Sequence, residues 1–130
     1  MATIRKALLV EDEVLVAALA ADALEELGYQ IVEAATARAA LEHAGAGIDA
    51  FALAIIDVGL PDGRGDALAL QLREMRPDLP IILTSGHLAD LPADTIQQLD
   101  ICELLVKPNT VHTLANAVHR ALTSVPVTKP

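Results

Sequence analysis

Five times along the chain a short apolar run of strand type is followed by a longer Ala- and Leu-rich segment of helical period. That alternation restricts the fold more than any other feature. The runs predict strands near 4–10, 30–34, 51–57, 80–85 and 101–106, and helices near 13–27, 37–45, 65–76, 91–99 and 110–122. Phe51-Ala52-Leu53-Ala54-Ile55-Ile56 is apolar at every position, as strands covered on both faces are. Parallel strands need long crossovers, so repeated strand–helix units imply an α/β fold, a parallel sheet with helices on both faces. Right-handed crossovers are the default.

Local signals support these boundaries. Gly28 closes the first helix and Thr36 can cap the second. Pro77 and Pro80 bracket the turn before the fourth strand, where neither could continue a helix. Asn109 is placed to cap the last helix, which carries Val111, Leu114, Ala115, Val118 and Leu122 on one stripe. The segment 91–99 has the weakest periodicity, resting on Ile96 and Leu99. The first helix is apolar on more than one stripe: Val14, Ala17, Ala21 and Leu24 lie outside the row Val16, Leu19, Ala20, Ala23, Leu27. Alanine-rich packing of a helix sandwiched between neighbours is the expectation there. Residues 1–122 read as one domain and 123–130 as a short disordered tail, with no linker, repeat or second domain. If the chain is complete, output is expected through surface contact with another molecule.

Composition narrows the function classes. A formal charge of −9, with no basic patch, opposes the phosphate neutralisation that direct nucleic-acid binding requires. Aromatics make up only 2%, so Leu, Ile, Val and Ala must build the core. Cys102 is the sole cysteine and lies in an apolar run, which predicts a buried, inert thiol. The start is too short in apolar residues for a signal peptide, and no segment reaches membrane-spanning length. A soluble cytoplasmic protein, without membrane insertion, is the expectation. His43, His87, His112 and His119 show no metal spacing with Cys102. His87 could border the strand-end site, and the others are expected in solvent.

The chemistry gathers at strand ends. Asp57 closes the third run, Glu11 and Asp12 follow Ala7-Leu8-Leu9-Val10, Lys107 follows the run 101–106, and Ser85 ends Ile81-Ile82-Leu83-Thr84. Loops after neighbouring parallel strands meet above the carboxyl edge of such a sheet. Three carboxylates brought together there repel by about 4 kcal/mol per pair at 4 Å in an effective dielectric near 20. Either a proton or a divalent cation must relieve them, and a hard, partly hydrated cation such as Mg²⁺ suits oxygen donors. Gly59 permits close approach of a backbone carbonyl. A lysine beside the acids stabilises negative charge developing on a transferred group. Carboxylate nucleophile, cation, lysine and hydroxyl together suit phosphoryl transfer to an aspartate. Each element also has a plainer reading. An acidic pair after a strand can complement a helix dipole, with Asp12 partly a cap, and a Lys-Pro pair can be a solvated loop.

The chain resembles the receiver domain of two-component response regulators over about residues 4–122. The resemblance rests on Leu9-Val10-Glu11-Asp12-Glu13, on Asp57-Val58-Gly59-Leu60-Pro61-Asp62-Gly63-Arg64-Gly65, on Pro80-Ile81-Ile82-Leu83-Thr84-Ser85-Gly86 and on Val106-Lys107-Pro108. It implies a flavodoxin-like, doubly wound five-stranded parallel sheet of order 2-1-3-4-5, with five helices on its two faces. It implies Asp57 as phosphoacceptor, Asp12 as a direct Mg²⁺ ligand, Glu11 acting through water, and Gly59 offering its carbonyl. Lys107 would contact the phosphoryl group. Ser85 would be the switch hydroxyl rather than Thr84, since its spacing to Lys107 and the following Gly86 fit the family better. A histidine kinase or histidine phosphotransfer protein would be the donor, an unidentified protein the downstream target, and the domain a monomer or weak dimer. The first helix borders the donor-docking surface in this family.

Two departures stand out. Leu104 occupies the position, three before the lysine, where the family usually carries Tyr or Phe. No effector domain accompanies the receiver-like region. Other classes fit less well. An aspartyl phosphatase would carry a second acid where Gly59 stands. A nucleotide-binding module would offer Gly or Ser amides where Glu11-Asp12-Glu13 would repel phosphate. A degenerate, unphosphorylated docking module would not keep Glu11, Asp12, Asp57, Ser85 and Lys107 together.

Overall fold

The computed structural model describes residues 5–86, 103–106 and 111–123. Strands β1 (Arg5–Val10), β2 (Tyr29–Ala34), β3 (Phe51–Asp57), β6 (Ile81–Ser85) and β7 (Glu103–Val106) form one sheet, in the order β2-β1-β3-β6-β7. All four pairings within it are parallel. Helices α1 (Val14–Glu26), α2 (Ala37–Gly47), α3 (Gly65–Met75) and a C-terminal helix (Val111–Thr123) accompany it. A small antiparallel hairpin, β4 (Gly59–Leu60) with β5 (Gly63–Arg64), stands between β3 and α3. The helix expected near 91–99 lies outside the described residues, as do Cys102 and Asn109.

The sheet is covered on both faces because its strands alternate two apolar sets. Leu8 and Val10, Ala54 and Ile56, Ile81 and Leu83 face one core with Ala40, Ala44, Leu68 and Leu72 of α2 and α3. Ala7 and Leu9, Leu53 and Ile55, and Ile82 face the other with Ala17, Ala21, Leu24, Leu114 and Val118. A one-residue register slip in β3 would exchange these sets, so the register is strongly determined.

The helix ends follow the local signals, with revisions. Gly28 has φ +98° after α1, the left-handed conformation that glycine adopts without a steric cost. Thr36 caps α2, its Oγ1 accepting from the Ala39 amide at 3.0 Å. Expected to end at 45, α2 runs on to Gly47 and into a 3₁₀ turn, Ile48–Ala50. The Arg76 guanidinium donates to the carbonyls of Ile48 (3.2 Å) and Phe51 at the start of β3. Tertiary bonds there outweigh the weak helix propensity of Gly45 and Gly47.

The sandwiched packing expected for all of α1 does not hold. Ala17, Ala21, Ala23 and Leu24 are buried, but Val14 and Leu15 are about 80% exposed and Leu19 59%. The sheet and the C-terminal helix cover one stripe and leave an apolar first turn open beside the carboxyl ends of β1 and β3.

Candidate functional site

Parallel β1 and β3 end side by side, Val10 against Ile56. The next residues of each strand therefore meet above the same edge. Oxygen atoms of Glu11, Asp12 and Asp57 lie within 4.8 Å of one another. At that separation each like-charged pair costs about 3 kcal/mol in an effective dielectric near 20. Glu11 and Asp57 are buried and Asp12 is exposed. Three hard oxygen donors, one of them open to water, fit a partly hydrated divalent cation such as Mg²⁺.

Glu11 is fixed from two sides. Its amide donates to the Ala34 carbonyl at 3.0 Å, and its Oε2 accepts from the Glu13 amide at 3.1 Å. This corrects the capping expectation, because the acid that satisfies an amide at the entry to α1 is Glu11 and not Asp12. That amide lies two positions further along the chain, close enough for the Glu11 carboxylate to reach it.

Asp57 is held by backbone on both sides. The Val58 amide donates to the Thr84 carbonyl at 2.9 Å, the Gly65 amide donates to the Val58 carbonyl at 2.8 Å, and the Gly59 amide approaches Asp57 Oδ1 at 3.4 Å. Gly65 permits the closest approach. A Cβ added there would lie 2.1 Å from the Asp57 carbonyl oxygen, 2.8 Å from its carbonyl carbon and 2.9 Å from Ile56 Cγ2. The first turn of α3 thus rests directly on the backbone that presents the Asp57 carboxylate.

Thr84 stands opposite Asp57 in the parallel register, and Ser85 follows one position further along. Both hydroxyl-bearing residues are buried. Thr84 and Glu11 line a cavity of about 20 Å³ between the sheet, α1 and the C-terminal helix, with Leu9, Val16, Ala20 and Leu114 among the other lining residues. That is room for one water. Lys107 and His87 lie outside the described residues, so the structure brings together Glu11, Asp12, Asp57 and Gly59, with Ser85 at the end of the adjacent strand. His43 and His119 are exposed, as expected.

Sequence reasoning passed over Asp62. At the turn of the β4–β5 hairpin, its Oδ1 accepts from the Ala37 amide at 2.8 Å and its Oδ2 from the Arg38 amide at 3.1 Å. These amides, Ala37 first and then Arg38, hold the Asp62 carboxyl below the usual carboxylate range, with the Arg38 charge adding a smaller pull. A group whose pKa is depressed on folding contributes stability that is present above its unfolded value and lost as pH falls through the folded one. In acid melts, the stability advantage of the native protein over Asp62→Asn is therefore expected to shrink below about pH 4. A constant difference down to pH 2 would contradict this assignment.

Known proteins resemble this chain in sequence and in fold. Residues 7–119 match the family described as response regulator receiver domain. Over 118 residues the chain is 34% identical to the sensor kinase CckA of Brucella abortus, covering 88% of this chain and 12% of that protein. Over 116 residues it is 32% identical to the photosynthetic apparatus regulatory protein RegA of Rhodobacter capsulatus, covering 88% and 61%. The chain thus spans only part of these curated relatives. Among solved structures, a response regulator receiver domain protein from Clostridium thermocellum superposes with a TM-score of 0.84. It shares 21% identity over 93% of this chain and 96% of that one, a likeness of fold. No helix among the described residues is long and apolar enough to cross a membrane.

Proposed function

The chain belongs to the response regulator receiver domain family, and from that premise we propose that Asp57 accepts a phosphoryl group from a phospho-histidine donor. The observation that carries the proposal is the convergence of Glu11, Asp12 and Asp57 oxygens within 4.8 Å at the carboxyl edge of the sheet. A bound Mg²⁺, held by Asp12, Asp57, the Gly59 carbonyl and, through water, Glu11, would neutralise the acids and the charge on the transferred group.

The residues of the chain supply the rest. An Asp57 carboxylate oxygen attacks phosphorus, an O–P bond forms, and the N–P bond of the donor breaks. The leaving imidazole keeps its electron pair and takes up a proton. Burial of Asp57 limits water, while the backbone bonds around Val58 and Gly65 keep the nucleophile in line. Lys107 contacts the new phosphoryl group, and Ser85 is the hydroxyl drawn toward it, shifting an equilibrium in the neighbouring elements. The domain catalyses its own phosphorylation and dephosphorylation and has no separate substrate. It is cytoplasmic, with five strands and five helices on both faces of the sheet, and passes its signal by surface contact. The exposed Val14, Leu15 and Leu19, on the helix bordering the site, suit docking of a histidine kinase or phosphotransfer protein.

The test is incubation with Mg²⁺ and acetyl phosphate, or with a cognate kinase, followed by intact-mass measurement. One hydroxylamine-labile phosphoryl group is expected, and absence of label from both donors would refute the reading. Leu104 pairs with Leu83 in the sheet at the position where the family usually has an aromatic. An inward-swinging ring is thus replaced by another coupling. Leu104→Ala is expected to retain labelling and to reduce target binding far less than Asp57→Asn does. Equal loss, with folding and labelling intact, would overturn that.

A further inference from the structure

The strands that carry Glu11 and Asp57 are neighbours, yet their loops are tied together a second time, through residues remote from both. The Glu11 amide donates to the carbonyl of Ala34, the last residue of β2. Three and four residues on, the amides of Ala37 and Arg38 open α2 and are both taken by Asp62. Asp62 lies in the turn of the hairpin whose pairs are Gly59 with Arg64 and Leu60 with Gly63. That hairpin leads back to the Gly59 amide, which reaches Asp57 Oδ1, and to Gly65, which presses on the Asp57 carbonyl. A ring of bonds thus closes from Glu11 through Ala34, α2 and Asp62 to Asp57. The other members of the ring are backbone bonds built into strands or turns, apart from the Gly59 amide's approach to the Asp57 carboxylate itself. Asp62 is the side chain in this ring that links the β2–α2 junction to the hairpin.

The link is not needed to start α2. Thr36 already caps that helix by accepting from Ala39. Asp62 takes the two amides that precede Ala39, from 24 and 25 residues away in sequence. A carboxylate at a helix N-terminus is favourably placed, and charge-assisted bonds to amides are stronger than neutral ones. What the arrangement adds is a fixed distance between the hairpin and the junction that holds Glu11.

We propose that Asp62 is a positioning residue for the carboxylate site: its two-pronged bond to α2 sets the spacing of Asp57 and Gly59 relative to Glu11 and Asp12. The proposal rests on the Mg²⁺ reading given above. It touches neither the cation nor the phosphoryl group and acts through the hairpin. Groups hydrogen-bonded to metal ligands typically change affinity by about 10–100-fold when removed, and Asp62 acts one step further out, through the hairpin.

The test compares the full chain with Asp62→Ala, Asp62→Asn and Thr36→Ala, by calorimetric titration with Mg²⁺ and by amide exchange in metal-free buffer. Asp62→Ala is expected to raise the Mg²⁺ Kd about tenfold, the lower end of that range. Asp62→Asn, whose carbonyl oxygen can serve one of the two amides, is expected to fall between it and wild type. Thr36→Ala removes the helix's own cap and lowers Tm, but is expected to leave the Kd unchanged. Without metal, exchange of the Gly59 and Gly65 amides quickens in Asp62→Ala and not in Thr36→Ala. A Kd in both Asp62 variants equal to that of wild type, whatever their Tm, overturns the proposal and leaves the site reading intact. Equal weakening by Thr36→Ala also overturns it, because the effect is then general loosening of α2. Absence of Mg²⁺ binding by wild type overturns the site reading and the proposal with it.

Discussion

Asp57→Asn is expected to take up no phosphoryl group from acetyl phosphate in the presence of Mg²⁺, while the wild-type chain takes up one. The amide keeps the shape of the carboxylate and can still accept from the Gly59 amide. It lacks the charge that makes an oxygen nucleophilic, and it removes one of three acids from the cluster. The same substitution therefore has a signature in stability. Without metal it relieves repulsion that costs about 3 kcal/mol per pair before screening, so a gain on the order of 1 kcal/mol remains after salt and water reduce it. With Mg²⁺ the order reverses, because a ligand that binds only the folded state stabilises it by mass action. Asp57→Asn is thus expected to melt higher than wild type in metal-free buffer and to gain less from Mg²⁺. Labelling of the Asn variant at the wild-type level would place the acceptor elsewhere. A lower Tm in metal-free buffer would show that the carboxylate is held by more favourable contacts than repulsive ones.

Gly65→Ala is expected to damage both the fold and the acceptor. Alanine is the better helix residue by about 1 kcal/mol, and Gly65 is the first residue of α3. The added Cβ, however, would lie 2.1 Å from the Asp57 carbonyl oxygen. That neighbour is backbone in a buried strand and cannot rotate away. Overpacking of this kind costs about 3 kcal/mol, so the clash outweighs propensity by about 2 kcal/mol. For a domain of this size that corresponds to a fall in Tm of roughly 6–10 °C. The chain can relieve the clash only by moving α3 or the Asp57 backbone, and a displacement near 1 Å at a reacting group can cost about 100-fold in rate. Gly63→Ala is the control, since a Cβ there meets nothing within 4 Å. It should change neither melting nor labelling. Wild-type Tm and labelling rate in Gly65→Ala would mean that α3 does not press on the acceptor strand.

Both residues stand in one stretch of sequence, yet they were not equally legible. Asp57 could be read because a carboxylate that ends an unbroken apolar run has only one place to go in a parallel sheet. Gly65 appeared in the motif, but only the contact with Asp57 explains why no Cβ is tolerated. Asp62 was passed over because its partners lie 24 and 25 residues earlier, and an exposed acid in a Pro-Asp-Gly turn carries no mark of a distant bond. The entry to α1 misled in a similar way. Glu11 and Asp12 are adjacent acids before a helix, and which one bends back to the Glu13 amide depends on the direction in which β1 delivers them.

Periodicity and strand-end chemistry determined the class of fold, the convergence of Glu11, Asp12 and Asp57, and the kind of reaction they suit. Those features are local, set by side-chain period and by the rule that neighbouring parallel strands end at one edge. The tertiary structure alone decided which stripe of α1 is covered, how closely α3 approaches Asp57, and that Asp62 binds α2. Such contacts join segments far apart in sequence. Their geometry depends on how whole elements pack, which the alternation of runs leaves open.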